Sequence, residues 1–546
     1  MSELRDLGEF FLSDDGKLFY PTESVAEALP ETERPEPSEG FRDSDLSEIH
    51  LGERIAREYL NGEFIAWGRS AWSRWDGRRW ARCSDSAVFD AVRRAVLRLY
   101  VSEVARVNER HTADITSAAT LEATDAEKGR AAREAADKAR AQRMKELNAL
   151  RFAGKVASLQ RVARGVLERD QSEFDAHPDL LNVGNGVVNL RTGELGPHDP
   201  RLLFTKVTEV NYVPGATHPD WESALTALPV EVADWMQIRF GQAATGHATQ
   251  DDVVPFLRGG GANGKSTMLD GVTRALGDFS VMVPDKVLLA SPSDHPTEMM
   301  TMKGARFAYI EELPEGDYLN AQRLKKAAGT DTMTARYIGQ DNVTWDATHS
   351  LFVTTNYEVQ VDAVDYGTWR RLALVMFPYT FDGSDPEHPR DPTLRKRILD
   401  GNDGQHEAVL SWLVDGAIAW YDSGAIIPPA PDSVKADTTK WRYDANHAAR
   451  FLDERYELDP ETAVRSADIY ADFTQWAEQR GIRKWGEKLF WTRARQHEWF
   501  LTGEVEKPDS SVRTSGWDVC ALGGVPAAHQ VKTRERLVTG IRPTAG

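Results

Sequence analysis

The stretch "FLRGGGANGKSTMLDGV", residues 256 to 272, decides how the centre of the chain folds. Strand-forming "VVPFL" leads into it, and "STMLDGVTRAL" reads as the helix that follows. Between them Gly259, Gly260, Gly261, Ala262, Asn263, Gly264, Lys265, Ser266 and Thr267 fit the spacing GxxxxGK[ST]. A strand before and a helix after is the context that this pattern requires. Glycines let successive backbone N–H groups turn inward around a phosphate, and the helix N-terminus adds the positive end of its dipole. Lys265 is expected to reach the β- and γ-phosphates of ATP, and the Ser266 hydroxyl to ligate Mg²⁺. The competing reading is a Gly-rich turn ahead of a helix.

Downstream, about 45 residues on, "RFAYIEE" (306 to 312) is an apolar strand ending in two adjacent glutamates. Consecutive strand residues point to opposite faces, so Glu311 is assigned to Mg²⁺ and Glu312 to the attacking water; the alternative is a solvated strand end. A third strand, "LFVTTN" (351 to 356), ends in Asn356, placed to sense a γ-phosphate or position water beside a parallel sheet. In "DYGTWRRLALVMF" Arg370 and Arg371 precede another apolar strand. One of the pair is a candidate arginine finger acting across a subunit interface, a contribution of about 10³ to 10⁵ in turnover, and the other a structural ion pair.

The whole chain bounds these readings. Its 546 residues imply two to four domains. Apolar residues at 41% and charged residues at 28% are ordinary for a globular protein. No apolar run approaches a membrane span, and the start "MSELRDLGEFFLSDDG" lacks the basic and apolar regions of a signal peptide, so cytoplasmic residence is expected. Two distant cysteines, Cys83 and Cys520, argue against a disulfide framework or structural zinc. With 66 basic against 85 acidic residues the net charge is −19, which argues against a surface coated for nonspecific nucleic-acid binding but not against a basic channel.

Residues 1–48 read as a flexible acidic lead-in, Pro-rich from 24 onward. From 49 to 220 a mixed α+β region is expected. It holds a Trp-rich sheet around Trp67, Trp72, Trp75 and Trp80, whose indoles are either core or base-stacking groups. Residues 86 to 175 read as helix, and its Ala/Glu/Lys/Arg-rich part, 123–147, is expected to lie exposed or to pack only between copies. "LLNVGNGVVNLRTGELGPHD" (180 to 199) reads as hairpins. The ATPase core is placed at 221–385, a helical linker at 386–435, and after the breaker "IIPPAPDS" a C-terminal module at 436–546. There "RGIRKWGEKLFWTRARQHEWF" interleaves Arg480, Arg483, Lys484, Lys488, Arg493 and Arg495 with Trp485, Phe490 and Trp491. This is either a DNA-contacting surface or an amphipathic helix pair with an aromatic core.

The order phosphate loop, strand-Glu-Glu, basic hairpin segment, strand-Asn, Arg-Arg resembles the superfamily III helicases, specifically the phage and plasmid primase-helicases related to the poxvirus primase-helicase. "DSDLSEIHLGERIA", "WSRWDGRRW", "LLNVGNGVVNLRTGELGPHDP", "LKKAAGTDTMTARYIGQDNVTW" and "IYADFTQWAEQRGIRKW" extend the resemblance over nearly the whole chain from about residue 43. It implies an α/β AAA+ P-loop ATPase core between a mostly helical, mixed N-terminal domain and a winged-helix-like DNA-binding module. It also implies a homo-oligomer, a hexameric ring that moves on single-stranded or forked DNA in the host cytoplasm. In that family a hairpin between the Glu-Glu and Asn strands carries a basic residue to DNA. Here the hairpin is 334–349, with Lys325, Lys326, Arg336, Gln340, Asn342 and His349 available, although the turn "GQDN" has no lysine and Arg336 has the nucleotide interface as its other possible place. "TTNYEV" also departs from relatives that carry a proline soon after the asparagine.

A primase module of the archaeal-eukaryotic type needs a strand carrying DxD. Asp43-Ser44-Asp45 sits instead in polar loop sequence with too few residues before it, so priming is expected from a separate protein. The leading expectation is therefore an ATP-dependent replicative DNA helicase. The alternatives are an ATP-using origin-binding initiator or loader without processive unwinding, and a P-loop regulatory or defence ATPase.

Overall fold

The computed structural model describes residues 46–68, 71–289, 296–314, 318–329, 331–337, 341–361, 366–482, 485–507, 512–513, 518–520 and 534–544, with three two-residue strands before residue 20. Nearly all of the acidic lead-in, the Asp43-Ser44-Asp45 triplet, Gln340, Arg483 and Lys484 lie outside the described residues. The chain forms two compact units, Met1–Pro214 and Gly215–Gly546.

In the first unit a four-stranded sheet runs in the order Trp80–Cys83, Ala71–Trp75, Phe64–Trp67, Glu168–Arg169. Trp72 and Trp80 are buried, Trp75 tilts against Trp80, and the Trp67 indole N–H donates to the Ser73 hydroxyl. The Trp cluster is thus largely core, as the cost of wetting indoles favours. Ser84 and Asp125 cap the helices Asp85–Glu122 and Ala126–Ala149 by accepting from Ala87 and Lys128 N–H, and the Asp125 cap is what divides the long helical segment. Most of 123–147 is exposed, as expected, but the helix also packs within its own chain rather than only between copies. Small residues let this helix lie along its neighbour, with Ala136 and Leu147 buried and Arg140 donating to Asn108. Beyond Ala153–Leu167, the strands Leu180–Val183, Gly186–Asn189 and Leu195–Gly196 form the antiparallel hairpins.

The second unit is an α/β layer structure around a five-stranded, all-parallel sheet. Its order is Ser280–Met282, Phe307–Ile310, Ser350–Thr355, Val254–Arg258, Leu372–Met376. The three central strands are almost wholly buried and largely apolar, as a sheet covered on both faces requires. Phe307 and Phe352 stack under Phe240 of the helix Val230–Ala244, which crosses the helix Gln405–Asp422. A Cβ at Gly241 would stand 2.2 Å from Ala417 N, and one at Gly416 2.2 Å from Gln237 O, so this crossing admits only glycine. On the opposite face Phe256, Val353, Ile310 and Leu374 pack with Leu324 of the helix Ala321–Ala328 and with Trp441 of the helix Asp432–Ala445. The last strand is an edge, and its Leu374 N–H is satisfied by the Thr438 hydroxyl at 2.8 Å.

That helix leads, through Asn446 alone, into His447–Arg455 and the C-terminal part of the unit. There the strand Tyr456–Arg465 pairs antiparallel with Leu537–Pro543 and parallel with Asp518–Cys520, while Glu506 bridges Thr539 and Val512–Arg513 pair with Arg534–Glu535. Trp485, Phe490 and Trp491 are buried in the core with Phe473 and Trp476. Of the basic residues interleaved with them, Arg493 is itself buried over Trp485 and Arg480 stacks on Trp476 while pairing with Glu454, so both serve the fold. Lys488 and Arg495 face solvent.

Candidate functional site

Parallel register brings four strand ends to one edge of the sheet: Arg258 lies opposite both Thr355 and Met376, and Ile310 opposite Val353. The Gly259–Gly264 loop, the glutamates and Asn356 therefore open from the same edge, where ligands of open parallel sheets sit. The loop turns sharply, with positive φ at Gly261 (102°), Ala262 (48°) and Gly264 (80°). At Gly264 a Cβ would also stand 2.6 Å from the Ala227 Cβ. The helix Lys265–Leu276 starts at Gly264 with no side-chain cap there, and Lys265 N–H donates to Asn263 Oδ1 at 3.4 Å.

Lys265 is 6% exposed, and its ammonium donates to Thr355 O at 2.8 Å, Gly259 O at 3.2 Å and Asn356 Oδ1 at 2.8 Å. Burial pulls its pKa down, and the nearby Glu312 carboxylate opposes that. Asn356 Nδ2 in turn donates to Glu312 Oε1 at 2.9 Å, and Glu312 N–H donates to Thr354 Oγ1 at 3.3 Å. Glu312 holds φ at 56°, a left-handed conformation in which a non-glycine residue persists only when its surroundings fix it. Lysine, asparagine and glutamate thus form one hydrogen-bonded line from the helix start to the turn after the Glu-Glu strand.

Glu311 takes the other direction. It lies on the side of Tyr309, Asp270 and Arg395, where its charge helps to raise the Tyr309 pKa, after burial as the larger cause. Arg395 donates to Asp270 Oδ2 at 2.6 Å. Ser266 is half-buried at the helix start and Thr267 is buried. The structure joins Lys265 to Glu312 through Asn356, and it places Glu311 toward Tyr309 and Asp270, the two glutamates lying past the strand Phe307–Ile310 with Glu312 in a left-handed turn.

Arg370 and Arg371 both reach Asp252 Oδ2, at 3.0 and 2.7 Å. The side chain of Arg371 is 12% exposed and that of Arg370 41%, so Arg371 is the one held in the fold. The hairpin of Thr332–Ala335 and Val343–Asp346 forms as expected, with Arg336 and Asn342 exposed at its end and Lys326 exposed on the helix before it. Lys325 is half-buried on that helix. His349 is not on this surface. It is 5% exposed with Nε2 2.8 Å from Ala327 O, and burial lowers its pKa, which corrects its place among the DNA candidates.

Four partners escaped the sequence reading. Thr354 is the first half of the "TT" before Asn356, Asp252 the second half of the "DD" before the loop strand, and both were visible as polar residues at strand ends. Asp270 and Arg395 lie 125 positions apart and carried no local signal.

The sequence model of the D5 N-terminal-like family matches residues 52–227. Over 323 residues the chain is 26% identical to C962R, a candidate primase of African swine fever virus (strain Badajoz 1971 Vero-adapted), covering 56% of this chain and 34% of the viral one. A candidate helicase of Acanthamoeba polyphaga mimivirus, L207/L206, is 31% identical over 124 residues, covering 22% of this chain and 13% of that protein. The match thus spans about a third of the length of C962R. Among solved structures, the apo A form of the NrS-1 C-terminal region aligns with a TM-score of 0.36 and 12% identity over 64% of this chain and 78% of that one. The chain thus carries a D5 N-terminal-like region and is similar in sequence to viral candidate primases and helicases.

Proposed function

We propose that the chain is an ATP-dependent replicative DNA helicase of superfamily III, working as a homo-oligomeric, hexameric ring on single-stranded or forked DNA. The observation that carries this reading is the line Lys265–Asn356–Glu312, which joins the phosphate loop to the carboxylate best placed to orient water. A loop strand flanked by the Asn356 strand on one side and the Arg370–Arg371 strand on the other supports an AAA+ P-loop core. The helix, strand, three-helix, strand order of residues 447–543 supports a winged-helix-like C-terminal module, since Leu537–Pro543 lies between Tyr456–Arg465 and the segment from Glu506.

ATP suits the loop, whose uncapped helix start and buried ammonium both seek an anion. Mg²⁺ suits the oxygen donors Ser266 and Glu311, which are the ligand type a hard cation takes. When bound, the ion neutralises charge that builds on the β- and γ-phosphate oxygens. Lys265 then exchanges its contacts with Thr355 and Asn356 for phosphate oxygens, and Asn356 is freed to hold Glu312 on the attacking water. Arg370 completes the site of a neighbouring copy, and Lys325, Lys326 and Arg336 face DNA.

The test is ATP hydrolysis with and without single-stranded DNA, followed by displacement on a forked duplex. Several-fold stimulation by DNA, lost in Glu312→Gln, is expected. Turnover indifferent to DNA would overturn the motor, and stimulated turnover without displacement would leave an initiator or loader.

A further inference from the structure

We propose that Tyr379, Phe381 and His388 form the platform on which the base of a bound nucleoside triphosphate stacks, an assignment that rests on the nucleotide reading of the loop. The sheet separates two sides of that loop. On one side lies the strand Ser350–Thr355, with Lys265, Asn356 and Glu312 gathered at its end. On the other lies Leu372–Met376, from which residues 377–388 emerge. A triphosphate whose terminal phosphate meets Lys265 and Asn356 must carry its ribose and base away from them, toward this second side.

The emerging segment is tied to the loop by its backbone. Phe377 N–H donates to Arg258 O at 2.8 Å and Phe381 N–H to Ala262 O at 2.7 Å. The Phe381 ring comes within 3.7 Å of where a Cβ at Gly264 would stand. His388 lies flat on Tyr379, ring centroids 4.0 Å apart and planes 15° apart, and meets Phe381 edge-on at 5.6 Å. Asp385 fixes the imidazole through Nδ1 at 2.8 Å. All three rings are half-buried, so none is consumed by the core. Rings held in fixed planes and partly open to solvent, with Phe381 tied to the phosphate loop, offer the π-face that a purine base takes.

The experiment compares ATP, ADP and inorganic tripolyphosphate as ligands of the full chain by calorimetric titration. The variants are Tyr379→Ala, Phe381→Ala and Phe381→Leu, with Lys265→Ala as reference. Loss of base stacking is expected to weaken ATP and ADP roughly tenfold while tripolyphosphate binds as to the wild type. Phe381→Leu keeps the apolar contact with the loop and is expected to weaken ATP and ADP in the same sense.

Wild-type ATP affinity in the ring variants, with both ligands weakened by Lys265→Ala, overturns the platform and leaves the phosphate loop standing. Equal loss of ATP and tripolyphosphate in the ring variants also overturns it, since the rings would then support the loop rather than the base. Failure of the wild type to bind either ligand overturns the nucleotide reading itself, and the platform with it.

Discussion

At the scale of single residues, Asn356 has the most connected position in the site, since one side chain accepts from Lys265 and donates to Glu312. Asn356→Ala removes both contacts while leaving the loop intact. A hydrogen bond to a charged group is worth about 1.5–3 kcal/mol, so turnover is expected to fall roughly 10- to 100-fold while ATP affinity changes far less. Equal losses in both would assign Asn356 to binding alone. Gly264 makes a steric prediction: its φ of 80° and the 2.6 Å approach to Ala227 both exclude a side chain. Gly264→Ala is expected to lower the melting temperature and abolish nucleotide binding together, by a strain of about 1–3 kcal/mol.

Buried His349 and half-buried His198 give a pH dependence. Burial holds His349 and His198 below their usual pKa of 6.5. Below that pH the unfolded chain takes up protons that the folded chain refuses, so stability rises with pH through the window just below 6.5 and is lost on acidification. Thermal melts between about pH 5.5 and 7.5 should show this slope, and His349→Gln should flatten it. An unchanged slope in that variant would move the effect to other groups.

At the scale of elements, the helix Asp432–Ala445 shows where sequence and structure part. The breaker "IIPPAPDS" read as a boundary, with a new module from 436, yet Trp441 packs on Phe256 and Trp369 beneath the parallel sheet and donates its indole N–H to Val359 O at 3.0 Å. Prolines report that the chain turns, and they do not report what it returns to cover. The local patterns were legible: the loop, the strand with two glutamates and the strand ending in asparagine each declare themselves within about a dozen residues. The parallel sheet follows from them.

Long-range pairings such as Asp270 with Arg395, or Trp441 with Val359, have no such signature, because the partner is chosen by packing. Trp441→Ala is expected to cost about 3–5 kcal/mol, as for large aromatic truncations in a core. A loss under about 1 kcal/mol in urea unfolding would show the helix to be peripheral to the sheet. In the first unit, buried Glu103 is shared by Arg54, Arg106 and Arg143, of which Arg54 also pairs with Glu58 and Arg143 with Glu146, so Glu103→Ala removes the shared carboxylate and is expected to cost about 1–3 kcal/mol.

At the scale of the whole molecule, the question is whether one chain can complete its own site. Arg371 is confined by Asp252 and the Gly367 carbonyl, whereas Arg370 shares Asp252 from a more exposed position, so Arg370 is the member free to serve a neighbour. If the finger acts across an interface, Arg370→Ala and Lys265→Ala lie on opposite sides of it. Each homo-oligomer should then be inactive. In a mixture, a Lys265→Ala subunit can present its intact arginine to the intact phosphate loop of an Arg370→Ala neighbour, so partial turnover returns in proportion to such pairs. Arg371→Ala should instead lose stability and show no rescue, because the defect lies inside each subunit. Turnover measured across a titration of the two variant proteins distinguishes these outcomes. A flat, inactive mixture would place the arginine's action within its own chain, and the ring would lose its main mechanistic support.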